Sequence, residues 1–285
     1  MSAFHEQFSP SSDLANPVPI KRAVIIASTQ RSGSSLLGHT LRDTGGFGVP
    51  LEYFNVQNLD YWRQRFSFSS INELLDHIER VRTSSNGIFA IKSHYFQLRN
   101  FGSISDLRLR YEDCRFIRIV RRDMLAQAIS RTVAQQTGVW IAGQARSGEP
   151  HYDFKQIVDN LQTLSRQHEQ WSLALAATGT PFLEVAHEDL IADPTAQVLR
   201  ISEFCSVDPQ SILMPSTPPI EAQENPRKSE WTERFVDEFD EKANAPLNGF
   251  LPAKDSLKDL ARWSKSILKR KGPGEAWYRS PNLAS

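Results

Sequence analysis

Residues 27–45 read ASTQRSGSSLLGHTLRDTG, and this stretch holds the side chains with the clearest chemical potential. It begins like a buried strand and continues as an amphipathic helix. The turn between them carries Arg31, Ser32, Gly33, Ser34 and Ser35. In such a strand–turn–helix the first N–H groups of the helix lack intrahelical acceptors and meet the positive end of the macrodipole, so the turn attracts an anion. Gly33 allows close backbone approach, Ser34 and Ser35 add hydroxyls, and Arg31 adds a planar fork that suits an oxyanion. The same composition also suits a plain N-capped helix after a strand. A nucleoside-triphosphate loop reads G-x-x-x-x-G-K-[ST]. Here Ser28 stands five residues before Gly33 and no lysine follows it, so the turn is poorly made for Mg–ATP. The seven histidines show no H-x-x-x-H spacing and no His/Cys cluster, so no metal site is expected.

The elements that must hold this turn alternate along the chain. Short apolar runs at 23–27, 88–91, 115–120 and 181–185 read as strands. Helical patterns cover 34–44, 71–82, 123–137, 154–178, 194–206, 229–240 and 254–269. Strands alternating with helices predict an α/β fold, a central, mostly parallel sheet covered on both faces. Asp193 before Pro194 signals a helix start, an N-cap followed by proline in the first turn. Residues 214–228, MPSTPPIEAQENPRK, read as a long loop.

Composition narrows the function classes. Lys plus Arg is 33 and Asp plus Glu is 33 in 285 residues, a zero formal charge that argues against a nonspecific nucleic-acid or membrane-surface binder. No apolar run approaches the roughly 20 residues of a membrane span. Residues 1–19 lack the order of a signal peptide and are expected to form a flexible leader, so a cytoplasmic location is the default. Cys114 and Cys205 sit in apolar segments and read as small core residues in a reducing compartment.

QRSGSSLL followed by VPLEYFN resembles the Stf0-type (trehalose 2-sulfotransferase-like) sulfotransferases. Three further segments share the likeness in order: NGIFAIKSHYFQ, RRDMLAQAISRTVAQQTGVW and NPRKSEWTERF. The resemblance implies a P-loop-like three-layer fold over residues 20–250, with a C-terminal helix and irregular tail at 251–285. It implies 3′-phosphoadenosine 5′-phosphosulfate (PAPS) as the co-substrate, with no metal, and a carbohydrate or glycolipid hydroxyl as the acceptor. Arg31, Ser32, Gly33, Ser34 and Ser35 map onto the loop for the 5′-phosphosulfate, and Arg31 would also serve catalysis. Arg121 or Arg122 at a strand end, with Ser130 downstream, would hold the 3′-phosphate, and the family register favours Arg121. Arg227, Lys228 and Ser229 resemble the basic loop that closes over the same phosphate. A homodimer is expected by the same analogy.

Glu52 in LEYF matches the family segment carrying its catalytic glutamate and is the implied general base. By itself it reads as an ordinary surface glutamate after a Gly–Val–Pro turn. His94, just past a strand, is the alternative base. Tyr53, Phe54, Lys92, His94 and Tyr95 are expected to line the acceptor pocket. The family's trehalose-binding form has a glutamate where this chain has Val49, which separates this acceptor site from that one. Two other classes fit the same scaffold: a P-loop small-molecule kinase, and a non-catalytic anion-binding module.

Overall fold

The structure, a computed structural model, describes residues 7–14, 18–141, 144–214 and 227–243. In chain order its elements are β1 (Arg22–Ser28), α1 (Ser34–Asp43), α2 (Leu59–Arg63), α3 (Ile71–Arg82), β2 (Ile88–His94), α4 (Tyr95–Leu98) and α5 (Ile104–Arg110). They continue as β3 (Cys114–Val120), α6 (Met124–Thr137), α7 (Phe154–Ala177), β4 (Phe182–Ala186), α8 (His187–Ala192), α9 (Pro194–Phe204) and α10 (Lys228–Ala243). The four strands form one sheet in the order β2-β1-β3-β4, and every pairing is parallel. The expected strands and most expected helices lie within a few residues of these. The proposed helix at 254–269 and most of the 214–228 loop lie outside the described residues.

Strand β1 explains the architecture. Its run AVIIA is apolar at every position because both faces are covered. Ala23, Ile25 and Ala27 join a core with Phe89, Ile91, Phe116 and Trp171. Val24 and Ile26 face the other way, among Leu37, Leu41, Ile117 and Val185. Parallel pairing puts the carboxyl ends of all four strands along one edge, and the connecting loops gather there. Asp193 caps α9 by accepting from the Ala196 N–H at 2.8 Å, with Pro194 in the first turn as the sequence signalled.

Part of the segment expected as a leader lies against the fold. Phe8 is buried, stacked on Tyr61 and edge-on to Trp62. Asp13 pairs with Arg65 at 2.5 Å and with the fully buried Arg82 at 2.9 Å. An arginine is buried in this way only when its charge is matched.

The chain divides into two units, Met1–Glu233 and Arg234–Ser285. The described part of the second is the remainder of α10, in which Phe235 stacks on Phe239 and Arg234 pairs with Glu238 at 3.0 Å. Cys114 and Cys205 are free thiols, and burial pushes each up to about 12.

Candidate active site

The anion turn follows β1 at the sheet's carboxyl edge. Its backbone uses two residues in left-handed geometry, Arg31 (φ 63) and Gly33 (φ 90). A non-glycine residue there costs on the order of 1–2 kcal/mol. The Arg31 side chain offsets that cost: Nε donates to Ser130 Oγ at 3.0 Å and Nη1 to the Trp140 carbonyl at 2.7 Å. Helix α6 braces the turn from below. Gln127 Nε2 donates to Thr29 Oγ1 and to the Gln30 carbonyl, and Arg131 Nε donates to Gln30 Oε1, all within 2.8 Å.

Gly33 is the N-cap of α1 and has no side chain to satisfy the first-turn N–H groups. Ser32 differs from expectation. It is fully buried, and its hydroxyl and N–H both donate to the Thr29 carbonyl, so it shapes the turn from inside.

Positive charge collects around this turn. Burial and the neighbouring Arg121 push the Arg31 guanidinium down to about 10. Arg121 Nε is buried without a hydrogen-bond partner. His187, the first residue after β4, was not expected at the site, yet its ring lies against Gly33. A Cβ on Gly33 would meet His187 Nδ1 at 2.3 Å, and that nitrogen is also buried without a partner. Burial, Arg121 and Lys228 together hold the imidazole below its ordinary value. Two orphaned nitrogens beside a helix N-terminus suit a polyanion, because each otherwise bears an uncompensated desolvation cost of about 1–3 kcal/mol.

The other basic candidates separate. Arg122 is exposed and forks onto Asp189, with both bonds at 2.6 Å. Of the two adjacent arginines, Arg121 faces the turn. Lys228 Nζ lies 3.7 Å from Asp123, which caps α6, so it stands at the rim of the same cluster. Arg227 donates to the Pro150 carbonyl at 2.8 Å. Ser229 is exposed on the first turn of α10.

Glu52 faces this turn from the segment after α1. Gly38 lets α1 approach that segment: a Cβ there would come within 3.0 Å of the Pro50 carbonyl. The Lys92 N–H donates to the Leu51 carbonyl at 2.9 Å, which ties the segment to β2. Glu52 is therefore fixed beside Lys92, whose Nζ lies 2.9 Å from Glu52 Oε1 and 3.0 Å from Ser35 Oγ on α1. Gln97 Nε2 at 2.7 Å and Asn55 Nδ2 at 3.1 Å both donate to Glu52 Oε2. His94 Nε2 is 3.6 Å from Oε1, and its Nδ1 is 2.9 Å from Ser28 Oγ. Burial pushes the Glu52 carboxyl up, but Lys92, His94 and the hydrogen bonds outweigh it and hold the group far below the usual carboxylate range. Burial holds His94 below its ordinary value against the pull of Glu52.

The aromatic residues expected to line an acceptor pocket differ in exposure. Tyr53 and Phe54 are fully buried. Tyr53 donates to the Val49 carbonyl at 2.6 Å and stacks on Phe89, while Phe54 stacks on Phe101. The chain turns here, with the Asn55 N–H donating to the Glu52 carbonyl at 3.2 Å, and the turn leaves Glu52 partly exposed while both Tyr53 and Phe54 enter the core. Tyr95 sits half-buried, edge-on to Trp171. Lys92 is buried and engaged with Glu52 and Ser35. The ring that is exposed at this place is Phe96, 43% accessible and 5.6 Å from the His94 ring.

A cleft of about 1000 Å³ lies at the opposite end of the sheet, between Arg22, Asp76, Glu79, Arg110 and Asp113. Its charges pair with each other, Arg110 with Asp76 and Glu79 and Arg22 with Asp113. Among the described residues no group of three or more His, Cys, Asp or Glu side chains is placed to hold a metal ion, and no helix is long and apolar enough to cross a membrane.

Comparison with known proteins adds a lineage to this geometry. The Stf0 sulphotransferase family matches residues 23–238. The chain is 28% identical to a trehalose 2-sulfotransferase of Mycobacterium tuberculosis, over 80% of this chain and 97% of that protein. It is 27% identical to a trehalose 2-sulfotransferase of Mycolicibacterium smegmatis, over 75% and 94% of the two chains. Among solved structures, a sulfotransferase from Mycobacterium avium covers 80% of this chain at 13% identity, with a TM-score of 0.47.

Proposed function

Since the chain belongs to the Stf0 sulphotransferase family, we propose that it moves the sulfuryl group of PAPS to a hydroxyl of a carbohydrate, with Glu52 as the base and no metal. The observation that carries this reading is the separation of charge at the carboxyl edge of the sheet. Cationic groups and first-turn N–H groups surround Gly33, and one half-buried carboxylate faces them across Lys92.

The N–H groups of Ser34 and Ser35 and the Arg31 guanidinium receive the phosphosulfate and the charge that develops during transfer. Arg121 receives the 3′-phosphate, with Ser130, held by Arg31, beside it. His187 and Lys228 border that pocket. Glu52 accepts the acceptor's proton, and Phe96 offers the face on which a sugar ring stacks. The curated relatives act on trehalose by name, and a carbohydrate is the acceptor class proposed here. Val49 is 2% exposed and apolar, so its side chain supplies no carboxylate to a sugar.

The donor pocket has a direct test. Arg121→Ala should weaken calorimetric binding of adenosine 3′,5′-bisphosphate by roughly 10- to 100-fold, the loss of about 1.5–3 kcal/mol for a charged hydrogen bond. Arg122→Ala, whose guanidinium is committed to Asp189 in solvent, should change it by less than about twofold. Equal losses in the two variants would remove Arg121 from the donor site.

A further inference from the structure

Glu52 is held too firmly to act as a base in the resting protein. Oε1 faces Lys92 at 2.9 Å and His94 at 3.6 Å, and Oε2 accepts from Gln97 at 2.7 Å and Asn55 at 3.1 Å. A carboxylate in that setting has little drive to take a proton from an alcohol. Something must release it before transfer, and the partners differ in how easily they leave. Gln97 is fixed because its Oε1 also accepts the His94 N–H at 3.0 Å. Asn55 is a neutral amide three residues along the same turn. Lys92 is different: its flexible stem ends in a full charge with a second contact already made, at 3.0 Å to Ser35 Oγ in the first turn of α1.

Ser35 borders the turn proposed above to receive the donor, so this inference rests on that reading. A hydroxyl is a weak partner for an ammonium, and a sulfuryl or phosphate oxygen in the same place is a much stronger one. We propose that Lys92 couples donor loading to the base: its ammonium leaves Glu52 for the sulfuryl end of the donor beside Ser35, and so frees Glu52 Oε1 for the acceptor hydroxyl. The acceptor oxygen then forms a bond to sulfur as the bond from sulfur to the bridging oxygen breaks. The electron pair of that bond goes to the departing phosphate, and the acceptor proton goes to Glu52.

Other charged groups facing the pair do not replace Lys92. His94 is held towards its neutral form by burial. His39, on α1, is pushed down to about 4 by burial, Arg42 and Lys92. Arg131 acts on His94 and is itself bonded to Gln30. The coupling makes the base strong only when a sulfuryl donor is present. A desulfated nucleotide, which ends at the phosphate, should leave Lys92 on Glu52.

Infrared difference spectroscopy on protein carrying 13C-carboxylate glutamate tests this, with Glu52→Gln identifying the band. Adding PAPS should shift the Glu52 carboxylate stretch and raise its titration midpoint by at least one pH unit, a tenfold change in its proton affinity. Adenosine 3′,5′-bisphosphate should do neither. Lys92→Met should show the shifted band with no donor added, and Lys92→Arg should restore a donor-dependent shift. Calorimetry on the same samples separates the two possible failures. If PAPS binds and the Glu52 band does not move, the coupling is wrong. If PAPS does not bind at all, the donor site proposed above is wrong. The wild-type comparison of the two nucleotides decides the matter even if Lys92→Met does not fold.

Discussion

Glu52→Gln should keep donor binding and lose turnover, with kcat falling by about 10²- to 10⁴-fold. Glutamine has the same shape, and its single carbonyl oxygen can still accept from Gln97 and Asn55, but its NH2 cannot accept from Lys92 and the amide cannot take a proton. Lys92 meets only the sulfuryl end of the donor, so affinity for adenosine 3′,5′-bisphosphate, which lacks that end, should stay level. Steady-state kinetics with a saturating acceptor, alongside calorimetry, measures both. Full turnover in the variant would hand the base to another group, and His94, 3.6 Å away, would be the first to examine. Acid should not silence Glu52 by itself. Its folded value lies below its unfolded one, so its contribution to stability is complete above about pH 4.5 and is lost only as the pH falls well below that.

Gly33→Ala should be the most damaging single-atom addition in the donor turn. The residue has φ 90, where a Cβ costs about 1–2 kcal/mol. The new methyl would also stand 2.3 Å from His187 Nδ1, so the imidazole must move from the turn it borders. Donor affinity, read with adenosine 3′,5′-bisphosphate, should fall by roughly 10- to 100-fold, and the unfolding midpoint by a few degrees. Gly45→Ala is the matching control. Gly45 has φ 75, but a Cβ there would meet nothing within 4 Å, so that variant pays the backbone strain and keeps its affinity. If Gly33→Ala binds like the parent, the turn is not where the nucleotide sits.

The fold was readable because its strongest signals are local. AVIIA and RFIRIV are apolar runs whose only economical home is a buried strand, and Asp193–Pro194 marks a helix start whatever surrounds it. The strand–turn–helix at 22–43 was readable for the same reason, since its parts are contiguous. Side-chain direction was not. LEYF shows two aromatics beside a glutamate, but nothing local states that Glu52 turns outward while Tyr53 and Phe54 enter a core built from Phe89, Trp62 and Phe101. The expectation that Lys92 lines the acceptor pocket missed its partner Ser35, 57 residues away, which only the β1–β2 pairing brings near. His187 was missed because it joins the site through β4, whose register with β3 sets Ala186 beside Val120 and so delivers His187 next to Arg121. Its position immediately after a strand in a parallel sheet was the signal available. Arg121 and Arg122 are indistinguishable as neighbours, and Asp189, on another element, separates them. The segment expected as a leader is partly structural because Asp13 matches the buried Arg82, a partnership across 69 positions with no local trace.

The most direct measurement is label transfer from 35S-PAPS to a panel of carbohydrates, with the protein kept in a chelator and the products read by chromatography and mass spectrometry. Radiolabel and a sulfate-sized mass increase should appear on a sugar, with adenosine 3′,5′-bisphosphate released in equal amount and Glu52→Gln inactive. A protein that binds neither PAPS nor its desulfated product, or that instead moves phosphate from Mg–ATP to the same sugars, would contradict sulfuryl transfer from PAPS.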